Sequence, residues 1–289
     1  MPILECIDRS LVAAEPRGVY PCSAGAIGRA AHAMDKRFCI RTVLCGTERL
    51  QHHHRTVRLD EDSYLIQNSL ESIVSPGRSE DRLLALVFTP SQIVRALGAG
   101  GLPVFREHVR LKVDQVGTLL RAIEGAVQAG NAAPAWLDEQ FVLLLKSLLR
   151  AEEELDERAL RINCVKVVTR QELLRRLLLA TDFIHSHYEL PLQLEEIAQA
   201  ARLSRFHLVR LFRQVLGVTP HAFLLNKRLS VARRLLTNCD SDLNQIAIHA
   251  GFGNRWSLFR RLQAQHGVGG QALRDAQTVR PNSAGCEAA

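Results

Sequence analysis

Short apolar runs broken by turn residues fill the first third of the chain. Phe38 to Cys45, Thr56 to Leu59, Tyr64 to Ile66, Ser72 to Val74 and Leu83 to Phe88 are separated by Gly46, Asp60 to Ser63, Asn68 and Pro76-Gly77. Runs of this length between turn formers predict β-strands at the spacing of an all-β sandwich or barrel. Pro90 to Gly98 reads as a short helix, with Pro in its first turn and Gly at its end. After Arg110 the period changes. Val113, Val116, Leu120, Ile123 and Val127 recur at steps of 3 and 4, which places them on one helical face. Gly130 to Pro134 interrupts the pattern, and Leu137, Phe141, Leu144, Leu148, Ala151 and Leu155 resume it as an a/d seam. Such a seam either packs on the β region or pairs with a second copy; the pattern allows both.

Residues 157–170 mix charges without a clear period and read as a linker. The pattern therefore predicts an α+β chain. Residues 1–105 form a β-rich domain, 106–165 a helical region suited to dimerisation, and 170–275 an all-helical domain. The tail 276–289, with Pro281, Ser283 and Gly285, is expected to be disordered.

Charge sharpens this division. The 289 residues carry a net charge of +7. Residues 170–275 hold 15 Lys and Arg against 8 Asp and Glu, while the rest of the chain balances 22 against 22. A basic domain joined to a neutral one points to a polyanionic partner for one part and a different task for the other. The apolar stretches fall far short of the roughly 20 residues that span a membrane, so no membrane partner is expected. Glu5 and Asp8 stand where a secretory signal would need a basic start, so a cytoplasmic location is expected. Seven cysteines with no C-x-x-C pair read as reduced thiols rather than a disulfide framework or a thiolate zinc site.

The basic part contains an internal repeat. Leu194-Glu195-Glu196-Ile197-Ala198 recurs as Leu243-Asn244-Gln245-Ile246-Ala247, an offset of 49. Beyond the following turn the offset is 50: Arg205-Phe206 matches Arg255-Trp256, Leu208 matches Leu258, Arg210 matches Arg260, and Gly217-Val218 matches Gly267-Val268. One residue has been added in the second turn, and the alignment assigns it to Gly251. Each copy reads as a short helix, a tight turn and a longer helix, with Ser204 and Asn254 as N-caps of the longer helices. Ala198 and Ala247 are small where the paired helices cross.

The segments LEEIAQAARLSRFHLVRLFRQVLGVTP, NKRLSVARRLLT and LNQIAIHAGFGNRWSLFRRLQAQHGV together resemble the AraC/XylS family of transcription regulators. Within them the Arg228-Leu229-x-x-Ala232-x-x-Leu235-Leu236 core and Gly251-Phe252 are the most distinctive features. The resemblance covers about 100 of the 289 residues. It implies a long helix carrying two helix-turn-helix units whose second helices enter successive major grooves of double-stranded DNA, about 34 Å apart. It also implies an activator that works with RNA polymerase, and a cupin-like N-terminal domain that binds a small effector or mediates dimer contacts. The second copy departs from the family pattern, with Leu258 and Leu262 where Phe is usual and Gly269-Gly270 where Thr-Pro or Ser-Pro is usual. The second unit is therefore expected to bind DNA less firmly than the first.

The expected DNA-facing residues follow from helix geometry. Ser204, Arg205, Phe206, His207, Val209, Arg210 and Arg213 belong to the first unit, and Asn254, Arg255, Trp256, Phe259 and Arg260 to the second. Arg210 and Arg260 suit bidentate pairing with guanine. Phe206 and Trp256 either touch thymine methyls and sugar edges or pack in the core. His207 and Arg202 are placed to touch phosphates, which position without reading sequence. Arg233 and Arg234 are either contacts or solvated surface.

One cluster suggests other chemistry. Gly46, His52 and His54 match the start of a metal-cupin signature, G-x5-H-x-H. The carboxylate expected three or four residues later is replaced by Arg58 or Leu59, and no second His motif follows Pro76-Gly77. A non-catalytic β domain without metal or cofactor is the preferred reading. The alternatives are a protein-interaction or dimerisation module and a metal-cupin enzyme fused to a DNA-binding domain. No P-loop and no G-x-S-x-G occurs, and Gly98-Ala99-Gly100-Gly101 reads as a flexible turn.

Overall fold

The computed structural model describes residues 18–23, 38–52, 55–68, 73–74, 82–88, 93–94, 98, 105–238 and 242–266. The expected tail 276–289, Gly267 to Gly270, and His53 and His54 lie outside the described residues. The chain is a mixture of sheet and helix that divides into two units, Met1–Asp182 and Phe183–Ala289.

The first unit holds β1 (Gly18–Ser23), β2 (Phe38–Cys45), β3 (Thr47–His52), β4 (Arg55–Asp60), β5 (Ser63–Gln67), β6 (Ile73–Val74), β7 (Arg82–Phe88) and β8 (Val109–Leu111). Among the described residues five strands form one sheet in the order β1-β7-β2-β5-β8, and three form another in the order β4-β3-β6. All the pairings are antiparallel. Alternation along each strand feeds two apolar clusters. Val43, Leu50, Val57, Leu59, Leu65, Leu83 and Val109 draw on both sheets. Ile40, Ile66, Leu84, Leu86 and Phe88 join helical side chains on the opposite face of the larger sheet. The run Leu83 to Phe88 is continuously apolar because β7 lies between β1 and β2 with both faces covered.

Strand β3 is absent from the apolar pattern for a physical reason. Its buried positions are Glu48, Leu50 and His52, so two of three inward side chains are polar. Glu48 lies 3.3 Å from Arg41 on β2, both buried. His52 Nε2 lies 3.2 Å from Glu107 Oε2, and its Nδ1 is 3.4 Å from Gln67 Nε2. His52 thus belongs to a buried polar pair, and among the described residues no group of three or more His, Cys, Asp or Glu could hold a metal. Among the described residues Cys39, Cys45 and Cys164 are not joined in disulfides.

Helix α1 (Gln115–Gln128) starts at Asp114, whose carboxylate accepts from the Gly117 N–H at 2.8 Å. Val113, expected on the helical face, precedes this cap and stands 82% exposed. Val116, Leu120 and Ile123 are buried as the period requires. Helix α2 (Pro134–Ala159) follows a turn in which Gly130 has φ of 67°. Its seam residues Phe141, Leu144 and Leu148 pack with Phe88, Leu84 and Leu86 of the sheet. Of the two uses open to this seam, the chain takes packing on its own sheet. Uncovering these side chains would cost about 1.5–3 kcal/mol each, so this face is not free for a second copy.

Polar bonds fix the helices. Glu124 of α1 accepts from Thr42 Oγ1 at 2.7 Å and from Lys112 Nζ at 2.5 Å, while burial pushes the Lys112 ammonium below its ordinary pKa. Helix α3 (Val167–His187) begins inside the expected linker 157–170, after a turn that follows Ala159. Its buried Asp182 accepts from the Val109 N–H at 2.7 Å and pairs with Arg55. Burial pushes the Asp182 carboxyl up to about 7 against the pull of Arg55.

The second unit contains the end of α3, then α4 (Leu194–Ala200), α5 (Arg205–Leu211), α6 (Pro220–Asn238), α7 (Leu243–His249) and α8 (Arg255–His266). Residues Phe212–Leu216 continue α5 as a wider π turn, which Gly217 ends at φ of 73°. Among the described residues no helix is long and apolar enough to cross a membrane.

Candidate nucleic-acid interface

The two repeat copies fold into closely matched helix pairs. In the first, Gln193 opens α4 with a capping box, in which the Glu196 carboxylate accepts from the Gln193 N–H at 2.6 Å. Ile197 and Ala198 turn inward. Ala201 is buried, Arg202 takes φ of 53°, and the Leu203 N–H donates to the Ala198 carbonyl at 2.9 Å. Ser204 Oγ then accepts from the His207 N–H at 3.3 Å and starts α5. In the second pair Asp242 caps α7, and Ile246, Ala247 and Ala250 are buried. Gly251 takes φ of 80°, and the Phe252 N–H donates to the Ala247 carbonyl at 2.8 Å. Asn254 Oδ1 accepts from the Ser257 N–H at 2.9 Å and starts α8.

These bonds correct the assignment of the added residue. Ala201, Arg202 and Leu203 correspond to Ala250, Gly251 and Phe252, at the helical offset of 49. The extra residue is Gly253, with φ of 72°, just before the Asn254 cap. Sequence letters misplace it because Ala200 and Ala250 match by identity, whereas backbone conformation aligns Ala201 with Ala250.

A long connecting helix holds both pairs. Leu224, Leu229, Val231, Ala232 and Leu236 of α6 are buried, as is Lys227, whose Nζ lies 5.4 Å from the Tyr188 ring centroid. Phe223 meets Phe212 of the first pair edge-on, with centroids 5.7 Å apart, and meets His185 at 5.3 Å. Arg228 donates from Nε to the Tyr188 carbonyl and from Nη2 to the Leu190 carbonyl, each at 2.7 Å. Burial lowers the Arg228 pKa.

Residues 197–275 match the family described as "Helix-turn-helix domain". The chain is 30% identical over 123 residues to the "Probable transcriptional regulator LumQ" of Photobacterium leiognathi, 42% of this chain and 48% of that protein. It is 30% identical over 155 residues to the "HTH-type transcriptional activator RhaS" of Klebsiella pneumoniae strain 342, 46% of this chain and 56% of that protein. The chain thus spans about half the length of these curated relatives. A solved transcriptional regulator of Chromobacterium violaceum, described among AraC-type DNA-binding domain-containing proteins, is 30% identical over 37% of this chain and 95% of its own, with a TM-score of 0.34. Residues 197–275 are a helix-turn-helix domain, and over this part the chain is similar to AraC/XylS-type transcription regulators.

In this helix-turn-helix domain the expected DNA-facing residues fall on one pattern of exposure. Ser204, Arg205, Phe206, Arg210 and Arg213 are exposed, and His207 and Val209 half-buried. Asn254, Arg255, Trp256, Phe259 and Arg260 are all exposed. Phe206 at 81% and Trp256 at 65% are too open for core residues, which removes one of their two readings. The core side of each helix is Leu208, Leu211 and Phe212 in the first pair, and Leu258 and Leu262 in the second. Leu258 and Leu262, where the family usually has Phe, are fully packed. Arg202 is exposed, while Arg233 and Arg234 are half-buried, with Arg233 Nε donating to the Leu229 carbonyl at 3.4 Å.

A groove runs between Leu194 and the exposed face of α5, lined by Phe206, Val209, Arg210 and Gln214. One of its neighbours escaped the sequence reading. Glu195 Oε1 lies 2.6 Å from Arg205 Nη1, joining the first helix of the pair to the second. The signal was present in the repeat, where an acid in the first copy is answered by Asn244 in the second.

Proposed function

We propose that this chain is a sequence-specific DNA-binding transcription regulator that lays α5 and α8 into successive major grooves. The carrying observation is the matched exposure of Arg205, Phe206 and Arg210 with Arg255, Trp256 and Arg260 on two capped helices joined by α6. Two long cations on one exposed helical face suit guanine edges, and a major groove about 12 Å wide admits such a helix. Arg210 and Arg260 are assigned to base reading, and His207 and Arg202 to phosphate. The C-terminal excess of positive charge supports the same partner.

In this reading the protein is not an enzyme. It acts as an activator with RNA polymerase as its further partner, and residues 1–105 serve as a cupin-like regulatory domain. The effector role is carried over from the resemblance; Arg41, Glu48, His52 and Gln67 are polar side chains buried beside the inter-sheet apolar cluster. Residues 106–165 connect that domain to the DNA-binding half at 170–275.

The deciding experiment replaces Arg210 by Ala and compares binding to duplexes selected by the wild-type protein from random DNA with binding to an unrelated duplex. A base-reading arginine loses roughly 1–3 kcal/mol on the selected duplex only. Equal weakening on both makes Arg210 a phosphate contact, and no enrichment in the selection removes sequence-specific binding altogether. Thermal-shift screening of the full chain tests the effector, and a pull-down with the full chain tests a regulatory protein in its place.

A further inference from the structure

We infer that Glu195 is a specificity-determining residue, which holds Arg205 as a base reader and denies it to the phosphate backbone. This rests on the reading of α5 as a DNA-facing helix and adds a residue from the preceding helix to it. Glu195 Oε1 takes the Nη1 corner of the Arg205 guanidinium at 2.6 Å. A guanidinium has five N–H donors in a rigid plane, so one occupied corner leaves the opposite edge, Nη2 with Nε on Arg or the remaining Nη protons, to face a base. The carboxylate also sets a negative charge beside the cation, which opposes the approach of a phosphate.

Three observations separate this from an idle surface pair. First, Glu195 is not needed to start α4, because Glu196 already closes the capping box with Gln193. Second, both partners are about half exposed, at 56% and 51%, so the pair adds little to folding. Third, the second copy supplies an internal comparison. Asn244 stands where Glu195 does, and Arg255 has no ion-pair partner among the described residues; its guanidinium carbon lies 5.4 Å from the Trp256 ring centroid. Arg205 keeps the same aromatic neighbour, with its guanidinium carbon 5.8 Å from the Phe206 centroid, so the carboxylate is what distinguishes the two units. A carboxylate on a DNA-facing surface weakens binding to every sequence alike, and its engagement with Arg205 turns that loss into discrimination. The first unit reads a G·C pair at this point, and Arg255 of the second takes backbone.

The test uses the full chain with Glu195→Gln and the reciprocal Asn244→Glu, on duplexes selected from random DNA by the wild type and on an unrelated duplex of equal length. Glu195→Gln is expected to tighten binding to the unrelated duplex several-fold and to reduce discrimination within the roughly 5- to 150-fold range of one arginine–guanine pair. Its salt dependence should steepen by about one phosphate contact. Asn244→Glu is expected to do the opposite, weakening binding to the unrelated duplex. Unchanged discrimination and salt slope in Glu195→Gln overturn the inference. Arg205→Ala and Arg210→Ala separate the two levels. If both leave binding to either duplex unchanged, α5 does not face DNA and the functional reading fails with the inference. If they weaken binding while Glu195→Gln changes nothing, only the inference falls.

Discussion

Arg202 and Gly251 occupy the same point in the two turns, with φ of 53° and 80°, yet one is an arginine and the other a glycine. The surroundings explain the difference. A Cβ on Gly251 would lie 2.5 Å from the Tyr188 carbonyl oxygen and 2.8 Å from Arg228 Nε. That carbonyl is the acceptor of the Arg228 bond that fixes α6, so the second turn sits against the bonded end of the scaffold. Arg202 is exposed and has room for its side chain, so its left-handed backbone carries its local cost without such a clash.

Opposite signs follow for two substitutions. Gly251→Ala combines left-handed strain with a backbone clash, and is expected to cost at least about 1–2 kcal/mol. Arg202→Gly relieves strain and is expected to be neutral to about 1 kcal/mol stabilising, after the loss of unfolded-state restriction. Urea denaturation of the full chain compares them. Equal effects would show that the contact with Tyr188 and Arg228 does not set the second turn apart.

Exposure of the aromatic residues predicts a separation of stability from binding. Phe206→Ala and Trp256→Ala remove side chains that are 81% and 65% exposed. Each is expected to change stability by no more than about 0.5 kcal/mol, as for surface sites. Affinity for selected duplexes should fall several-fold in both. A drop in melting temperature with unchanged DNA affinity would return these rings to a packing role.

How far the sequence could be read depended on whether burial coincided with apolarity. Helices α1 and α2 were legible because Val116, Leu120, Phe141 and Leu144 are both apolar and buried, and the caps Ser204 and Asn254 were legible because their side chains perform the same bond wherever a helix starts. Strand β3 was hidden by inward Glu48 and His52, and β8 by being only three residues long. The exposure of Arg205, Arg210, Arg255 and Arg260 could be read from the period of α5 and α8. The Glu195 to Arg205 contact could not, because it joins two helices across a turn whose angle no local pattern specifies.

Arg228 is expected to be structural in effect despite its charge. It donates at 2.7 Å to the carbonyls of Tyr188 and Leu190, two acceptors that a lysine ammonium cannot match in the same plane. Arg228→Lys should destabilise by roughly 1–3 kcal/mol, the range for a lost charged hydrogen bond with a carbonyl left behind. At a temperature where the variant remains folded, its ratio of selected to unrelated DNA affinity should equal the wild-type ratio. A changed ratio would place Arg228 at the DNA.

Asp182 gives the first unit a pH-dependent term whose sign can be worked out. Its carboxyl is pushed up to about 7 by burial, from an ordinary value of 3.8. Between these values the folded chain keeps a proton that the unfolded chain releases, so stability from this group is present below about pH 4 and is lost as pH rises toward 7. The slope reaches at most about 1.4 kcal/mol per pH unit. Asp182→Asn removes this slope, while leaving Arg55 without its carboxylate adds a cost of its own. The stability difference, wild type minus variant, should therefore fall steadily from pH 4 to 7 and level off above. Urea denaturation across that range measures it. Parallel curves would mean that Arg55 keeps Asp182 ionised throughout, with the Coulomb attraction exceeding the desolvation that raises its pKa.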